Sequence, residues 1–286
     1  MEALRATYGT DSESDDESSP PRSSSYADSR QVSNPRGSEG LPPPPPLDLL
    51  QPPNFLDVSS TNKGSRIRSF PHVEGNYALH VYVPVSIPST TRKQLAYFVK
   101  IIASHVPGLY AVDIDCALSE FCKDDQKLEQ ILFGREFHIS LGRTVPIQVH
   151  QIDSIVAMLR QNFKSQRRYW IEFNKWEVFV NDDRTRTFLS LEVIARGLPE
   201  ITKQIHIIDD IYRLHGLPEF YKNPRPHISL VWALGNISYK LKQAVEEFDR
   251  SHGNSNSLQK HIFMCEFGGI ECRIGKKTYN ICKFSD

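Results

Sequence analysis

"EFHISLGRT" occupies residues 136–144 and "RPHISLVWA" residues 225–233. The word His-Ile-Ser-Leu therefore occurs twice, at 138–141 and at 227–230, 89 residues apart. Both copies are short, apolar and β-prone, and read as strands. Side chains alternate faces along a strand. Phe137, Ile139 and Leu141 then share one face, with His138 and Ser140 on the other. In the second copy Ile228 and Leu230 oppose His227 and Ser229. Each strand anchors one side in a core and offers an imidazole and a hydroxyl on the opposite side. A lone His-x-Ser carries little weight, because about one is expected by chance among ten histidines. Here only His138 and His227 have serine two places on, and both lie within the same four-residue word.

Working outward, the surroundings of the two words resemble each other. "YALHVYVPV" (77–85) predicts a strand and "TTRKQLAYFVKIIASHV" (90–106) a helix, with Thr90 or Thr91 as its cap. After the first word, "IQVHQIDSIVAMLRQNF" (147–163) places Ile152, Ile155, Val156, Leu159 and Phe163 on one helical face. "RYWIEFNKWEVFV" (168–180) and "TFLSLEVIA" (187–195) read as two strands around the turn "NDDR", their aromatics as ordinary core packing. The pattern then restarts with a helix over 198–214, Pro199 in its first turn, the second word, and a helix over 238–251. "HIFMCEF", "GIECRI" and "TYNICKF" close the chain as three short strands. The expectation is an α+β fold of two similar lobes, with two antiparallel sheets facing a central cleft and helices outside. Each His-Ile-Ser-Leu word is expected on a central strand of its lobe.

The first sixty of the 286 residues differ in texture. They hold ten of nineteen prolines, the run Pro42 to Pro46, and the acidic stretch "DSESDDESS". Such a segment buries too little apolar surface to offset its ordering entropy, so residues 1–64 are expected to be a disordered tail and 65–286 the folded domain. Residues 1–60 take ten acids and four arginines from totals of 34 and 34, leaving 30 basic and 24 acidic residues, a net of +6. A mildly basic body permits a phosphate-bearing partner. Five cysteines, at 116, 122, 265, 272 and 282, are odd in number and have no metal-site spacing, which argues for reduced, mostly packed thiols. Neither a signal-peptide pattern nor a run of eighteen apolar residues is seen, so a soluble protein in a reducing compartment, without membrane association, is expected. A monomer is also expected.

Two imidazoles facing one cleft suit phosphodiester cleavage. A neutral histidine takes a proton from the attacking hydroxyl and a protonated one gives a proton to the leaving oxygen. Both forms exist near neutral pH because the ordinary imidazole pKa is about 6.5. Ser140 and Ser229 can donate to phosphoryl oxygens, and RNA brings its own 2′-hydroxyl nucleophile. This chemistry needs no metal and no cofactor. The paired H-x-S strands, with "FHISL" and "FYKNPRPHISLVW", resemble the 2H phosphoesterase superfamily over residues 70–286, and within it the branch that trims the 3′ end of U6 small nuclear RNA. That resemblance implies a nuclear, metal-independent 3′→5′ exoribonuclease acting on single-stranded, uridine-rich RNA ends and leaving a 2′,3′-cyclic phosphate. It also implies that His138 and His227 are catalytic, that Ser140 and Ser229 bind phosphate, and that Tyr221 stacks on a terminal base. Arg143, Lys222 and Arg225 lie near enough in sequence to meet an RNA backbone. The same two histidines would also serve a 2′,3′-cyclic phosphodiesterase or a 2′–5′ ligase-like enzyme, and a non-catalytic RNA-binding module would keep the cleft without the chemistry.

Overall fold

The computed structural model describes residues 73–112, 114, 116–252 and 262–284. The expectations for the tail, including its proline run, fall outside these residues. The chain runs through β1 (Asn76–Val85), α1 (Ser89–His105), β2 (Leu109–Ala111), α2 (Asp125–Phe133), β3 (Phe137–Ser140), β4 (Val145–Gln148) and α3 (Val149–Phe163). It continues with β5 (Trp170–Phe173), β6 (Lys175–Val180), β7 (Arg186–Glu192), α4 (Leu198–Leu214), β8 (His227–Leu234), α5 (Ser238–His252), β9 (Phe263–Glu266), β10 (Gly269–Ile274) and β11 (Lys277–Lys283).

Two antiparallel sheets carry the site. The first has the order β11-β10-β1-β3, with β4 also paired to β1; the second has the order β2-β8-β7-β6. The sheets are not assembled from successive halves of the chain. The early strand β2 joins the second sheet, and the last strands β10 and β11 join the first. The expected central position holds for β8, between β2 and β7, but among the described residues β3 pairs only with β1 and is an edge strand. That edge lies beside β8, so the two His-x-Ser strands adjoin.

The sheet interiors follow from period-two alternation. On β1, Leu79, Val81, Val83 and Val85 are buried, while His80 and Pro84 keep partial exposure on the opposite face. Complete burial of an aliphatic side chain is worth about 1.5–3 kcal/mol, so these runs fix the register. Helices back the sheets. Phe98 of α1 stacks on Trp176 of β6 at 3.9 Å and meets Phe248 of α5 at 4.7 Å. Behind the other sheet, α3 and α4 pack together. Gly142, just after β3, packs closely, and a Cβ there would lie 3.0 Å from the Tyr212 hydroxyl, so a larger residue would have to push Tyr212 aside. Gly197 (φ 91°) precedes α4, where a Cβ would meet the Trp170 carbonyl at 3.0 Å.

Three local expectations are corrected. Helix α1 starts after Pro88 without a side-chain cap, so neither Thr90 nor Thr91 caps it. The segment 168–180 is two strands, not one. The buried positions change phase from Ile171 and Phe173 to Val178, and β5 leaves to pair with β9 while β6 joins β7. The helix predicted from 147 begins at Val149, after β4.

Candidate active site

The alternation deduced for the two words is the one observed. Ile139 and Ile228 are fully buried, and Phe137 and Leu230 nearly so. His138, Ser140, His227 and Ser229 all line one cleft of about 440 Å³ between the sheets. Each motif serine is held by a polar side chain of the neighbouring strand. Ser140 Oγ lies 3.0 Å from His80 Nε2 of β1, and Ser229 Oγ 3.1 Å from Ser190 Oγ of β7.

His227 is held on two sides. Its Nδ1 donates to the Arg225 carbonyl at 2.7 Å, which leaves Nε2 as the unprotonated nitrogen of the neutral ring. Its ring stacks on Phe179 of β6, with centroids 3.9 Å apart and planes 13° from parallel. Arg225 is itself clamped: its guanidinium donates to both Glu192 oxygens at 2.6 Å and to Glu177 at 2.7 Å. Lys175 closes the network on Glu177 at 2.8 Å. Glu192 is only 4% exposed. Burial pushes the Glu177 carboxyl up, but the bonds from Lys175 and Arg225 outweigh it and hold the group down at about 2. Burial lowers the pKa of His227 below the ordinary imidazole value, opposed by its bond to the Arg225 carbonyl and by the charge of Glu192.

His138 has different company. It meets His80 edge-on at 4.9 Å and Tyr82 at 5.3 Å. The Tyr82 hydroxyl donates to Glu271 at 2.9 Å and accepts from Arg273 at 3.2 Å. Burial and the Glu271 carboxylate raise the Tyr82 phenol to about 12, so it remains a neutral donor at physiological pH.

Tyr221 is not among the side chains that line the cleft. It is 45% exposed, with the Arg143 guanidinium 4.1 Å above its ring and its hydroxyl 3.2 Å from Asp182. Arg143 also pairs with Asp182 at 2.9 Å. Two of the three cations expected near the RNA backbone, Arg143 and Arg225, are thus engaged in ion pairs. The cleft instead presents Arg135, Arg186 and Arg273, beside Phe188 and Trp232. Sequence reasoning passed over these arginines, and also His80, Ser190 and Phe179. His80 carried a readable signal, since it alternates with buried residues in "YALHVYVPV". The five cysteines are free; burial raises the Cys265 and Cys272 thiols to about 12, as packed thiols require, whereas Cys116 is exposed. Among the described residues, no group of three or more His, Cys, Asp or Glu side chains is placed to hold a metal ion.

Two antiparallel sheets that face across a cleft, each supplying one His-x-Ser strand, define a 2H phosphoesterase fold. The solved structure of Usb1 from Kluyveromyces marxianus shares it, with a TM-score of 0.50 at 12% identity over 74% of this chain and 99% of that one. A family model described as HVSL, uncharacterised conserved protein, matches residues 43–282, and the chain belongs to that family. Among similar proteins, U6 snRNA phosphodiesterase 1 of Xenopus laevis is 29% identical over 273 residues, covering 91% of this chain and 96% of the relative. The mouse protein of the same name is 27% identical over 254 residues, covering 87% and 85%. The human one is 28% identical over 223 residues, covering 78% and 75%.

Proposed function

We propose that this chain is an RNA phosphodiesterase that trims the uridine-rich 3′ end of U6 small nuclear RNA in the nucleus, from 3′ to 5′, leaving a 2′,3′-cyclic phosphate. The observation that carries the reading is the pair of His-x-Ser strands turned into one cleft. The names borne by relatives that match most of the chain support the substrate.

The mechanism uses only the chain's own side chains and the RNA. The penultimate nucleotide's 2′-hydroxyl gives its proton to one imidazole as its oxygen attacks phosphorus. The bond from phosphorus to the terminal nucleoside's 5′ oxygen breaks, and that oxygen takes a proton from the other imidazole. The shortened chain ends in the cyclic phosphate. Each proton transfer is worth about 10²–10⁴-fold. We assign His227 as the base. Burial favours its neutral form, and the Nδ1 bond to Arg225 leaves the Nε2 lone pair for the hydroxyl proton. His138 is then the acid. Ser140 and Ser229 donate to the non-bridging oxygens as charge accumulates there. Tyr221 serves the terminal base once Arg143 leaves its ring.

The test is product analysis on 3′-oligouridylated RNA in the presence of EDTA. Chains shortened from the 3′ end and closed by cyclic phosphate support the reading. Chains of unchanged length with opened cyclic ends would instead indicate a cyclic phosphodiesterase. Binding without any cleavage would indicate a binding module.

A further inference from the structure

We propose that His80 is a positioning residue of this site: its imidazole donates Nε2–H to Ser140 and so frees the serine's own proton for a phosphoryl oxygen. The inference rests on the phosphodiesterase reading above. It starts from alternation on β1, where Leu79 and Val81 are fully buried and His80 between them turns to the cleft side. Tyr82 sits directly opposite Ser140 in the strand register, and His80 reaches Ser140 on the diagonal. The His80 ring is fixed there by stacking on Tyr82, with centroids 5.0 Å apart and planes 29° from parallel. Tyr82 is in turn tied to Glu271 and Arg273. His80 is not among the residues lining the cleft, so it acts through Ser140 and not on the substrate directly.

The proton count decides the direction of the bond. A serine hydroxyl has one proton and two lone-pair sites. If His80 Nε2 accepted, the Ser140 proton would point at the imidazole, and the phosphate would meet only lone pairs. If Nε2 donates, the hydroxyl proton is free to meet the oxygen on which charge develops. The other half-site solves the same problem differently. Ser229 is partnered by Ser190, a hydroxyl that reverses its role by rotating. An imidazole nitrogen reverses only by moving a proton, so His80 holds Ser140 in one sense.

Three variants test this: His80→Gln, whose amide nitrogen takes the place of Nε2; His80→Asn, whose amide stops short of Ser140; and Ser140→Ala. His80→Asn is also combined with Ser140→Ala. Each is measured for kcat and KM on a short 3′-oligouridylated RNA, with a thermal midpoint as the folding control. The expected loss in kcat for His80→Asn is about 10- to 100-fold, the scale of a misplaced transition-state donor. His80→Gln recovers activity to within about fivefold of the parent, and on the Ser140→Ala background His80→Asn costs less than about threefold, as coupled residues require. A His80→Asn variant as fast as the parent overturns the role. So does a full loss that persists without the Ser140 hydroxyl, or a His80→Gln variant as slow as His80→Asn at equal thermal midpoint. A parent protein that never cuts RNA refutes the phosphodiesterase reading and this role with it. A parent that cuts while the His80 variants match it refutes the role alone.

Discussion

Removing the Ser229 hydroxyl separates a structural bond from a catalytic one. Ser229 Oγ has two tasks in this site: it bonds Ser190 Oγ at 3.1 Å and it faces the cleft. Ser190 has no solvent exposure. In Ser229→Ala, Ser190 loses this buried partner, at a cost of about 1 kcal/mol, the low end for an unsatisfied buried group. In a fold of this size that lowers the thermal midpoint by about 2–4 °C. The catalytic cost is separate and larger, a fall of about 10²–10³ in kcat, the scale for one lost oxyanion donor. The double variant Ser190→Ala/Ser229→Ala removes both ends of the bond. Its midpoint should return to within about 1 °C of the parent, because deleting both partners is nearly neutral, while kcat stays down. The assay is single-turnover cleavage of a short 3′-oligouridylated RNA beside a thermal melt of each protein. A Ser229→Ala protein that melts early yet keeps kcat within threefold would falsify the donor role, and so would a double variant that regains activity.

Other perturbations follow from the same geometry. Because burial lowers the His227 pKa, the acidic limb of kcat/KM should lie below about 6.5, and the folded state should take up this proton less readily than the unfolded chain. Stability is then full above about 6.5 and falls as the pH drops through the lowered value; thermal midpoints at pH 7.5 and 5.5 should differ less in His227→Gln than in the parent. Glu192→Gln breaks the bidentate hold on Arg225, whose side chain is 44% exposed. Discounted for that exposure, it should cost about 1–2 kcal/mol in a denaturant melt. Its kcat should fall about tenfold, since the Arg225 carbonyl no longer steadies His227; an unchanged kcat would refute the link. Arg186→Ala and Arg273→Ala should each raise KM more than they lower kcat, and reduce the log–log salt slope of RNA binding by about 0.7. Tyr221→Ala should weaken binding of a 3′-terminal uridine by about 1–3 kcal/mol in a fluorescence titration, and equal affinities would remove Tyr221 from the base-binding role.

Local periodicity explains what could be read before the structure was known. The faces of β3 and β8 follow from alternation, which needs no knowledge of neighbours, and so does the shared direction of each histidine with its serine. Helix α4 was legible from Pro199 at its start and the buried Ile201, Ile205 and Ile208 at helical spacing. Helix α2 carried equally plain marks that went unused: Asp124 accepts from the Lys127 N–H at its start, Leu128 and Leu132 share a face, and Gly134 follows. The break in 168–180 was also written locally. Asn174 stands where the apolar phase slips by one residue, and its side chain accepts from the Ile194 N–H. Strand exchange is a different matter. That β2 crosses to the second sheet and β10 and β11 to the first is a fact of long-range pairing. No local pattern encodes it, and the arginines that reach the cleft from β7 and β10 depend on it.

The duplicated word also explains why its two copies should not behave alike. Four identical residues on two strands give the same pair of functional groups and the same anchoring. A site with two identical imidazoles would have two equal pKa values and no division of labour. General acid–base catalysis works best when environments push such a pair apart. The surroundings of the two rings differ here, and burial lowers the His227 pKa. His227 lies against Phe179, bonded to the carbonyl of an arginine that two glutamates hold. His138 lies among His80 and Tyr82, with Tyr82 tied to Glu271 and Arg273. The serines diverge likewise, one held by a histidine and the other by a serine. The asymmetry sits in β1, β6, β7 and β10 and at Arg225, outside the repeated word. Exchanging the two words would therefore leave the chemistry unchanged, whereas exchanging their neighbours would not.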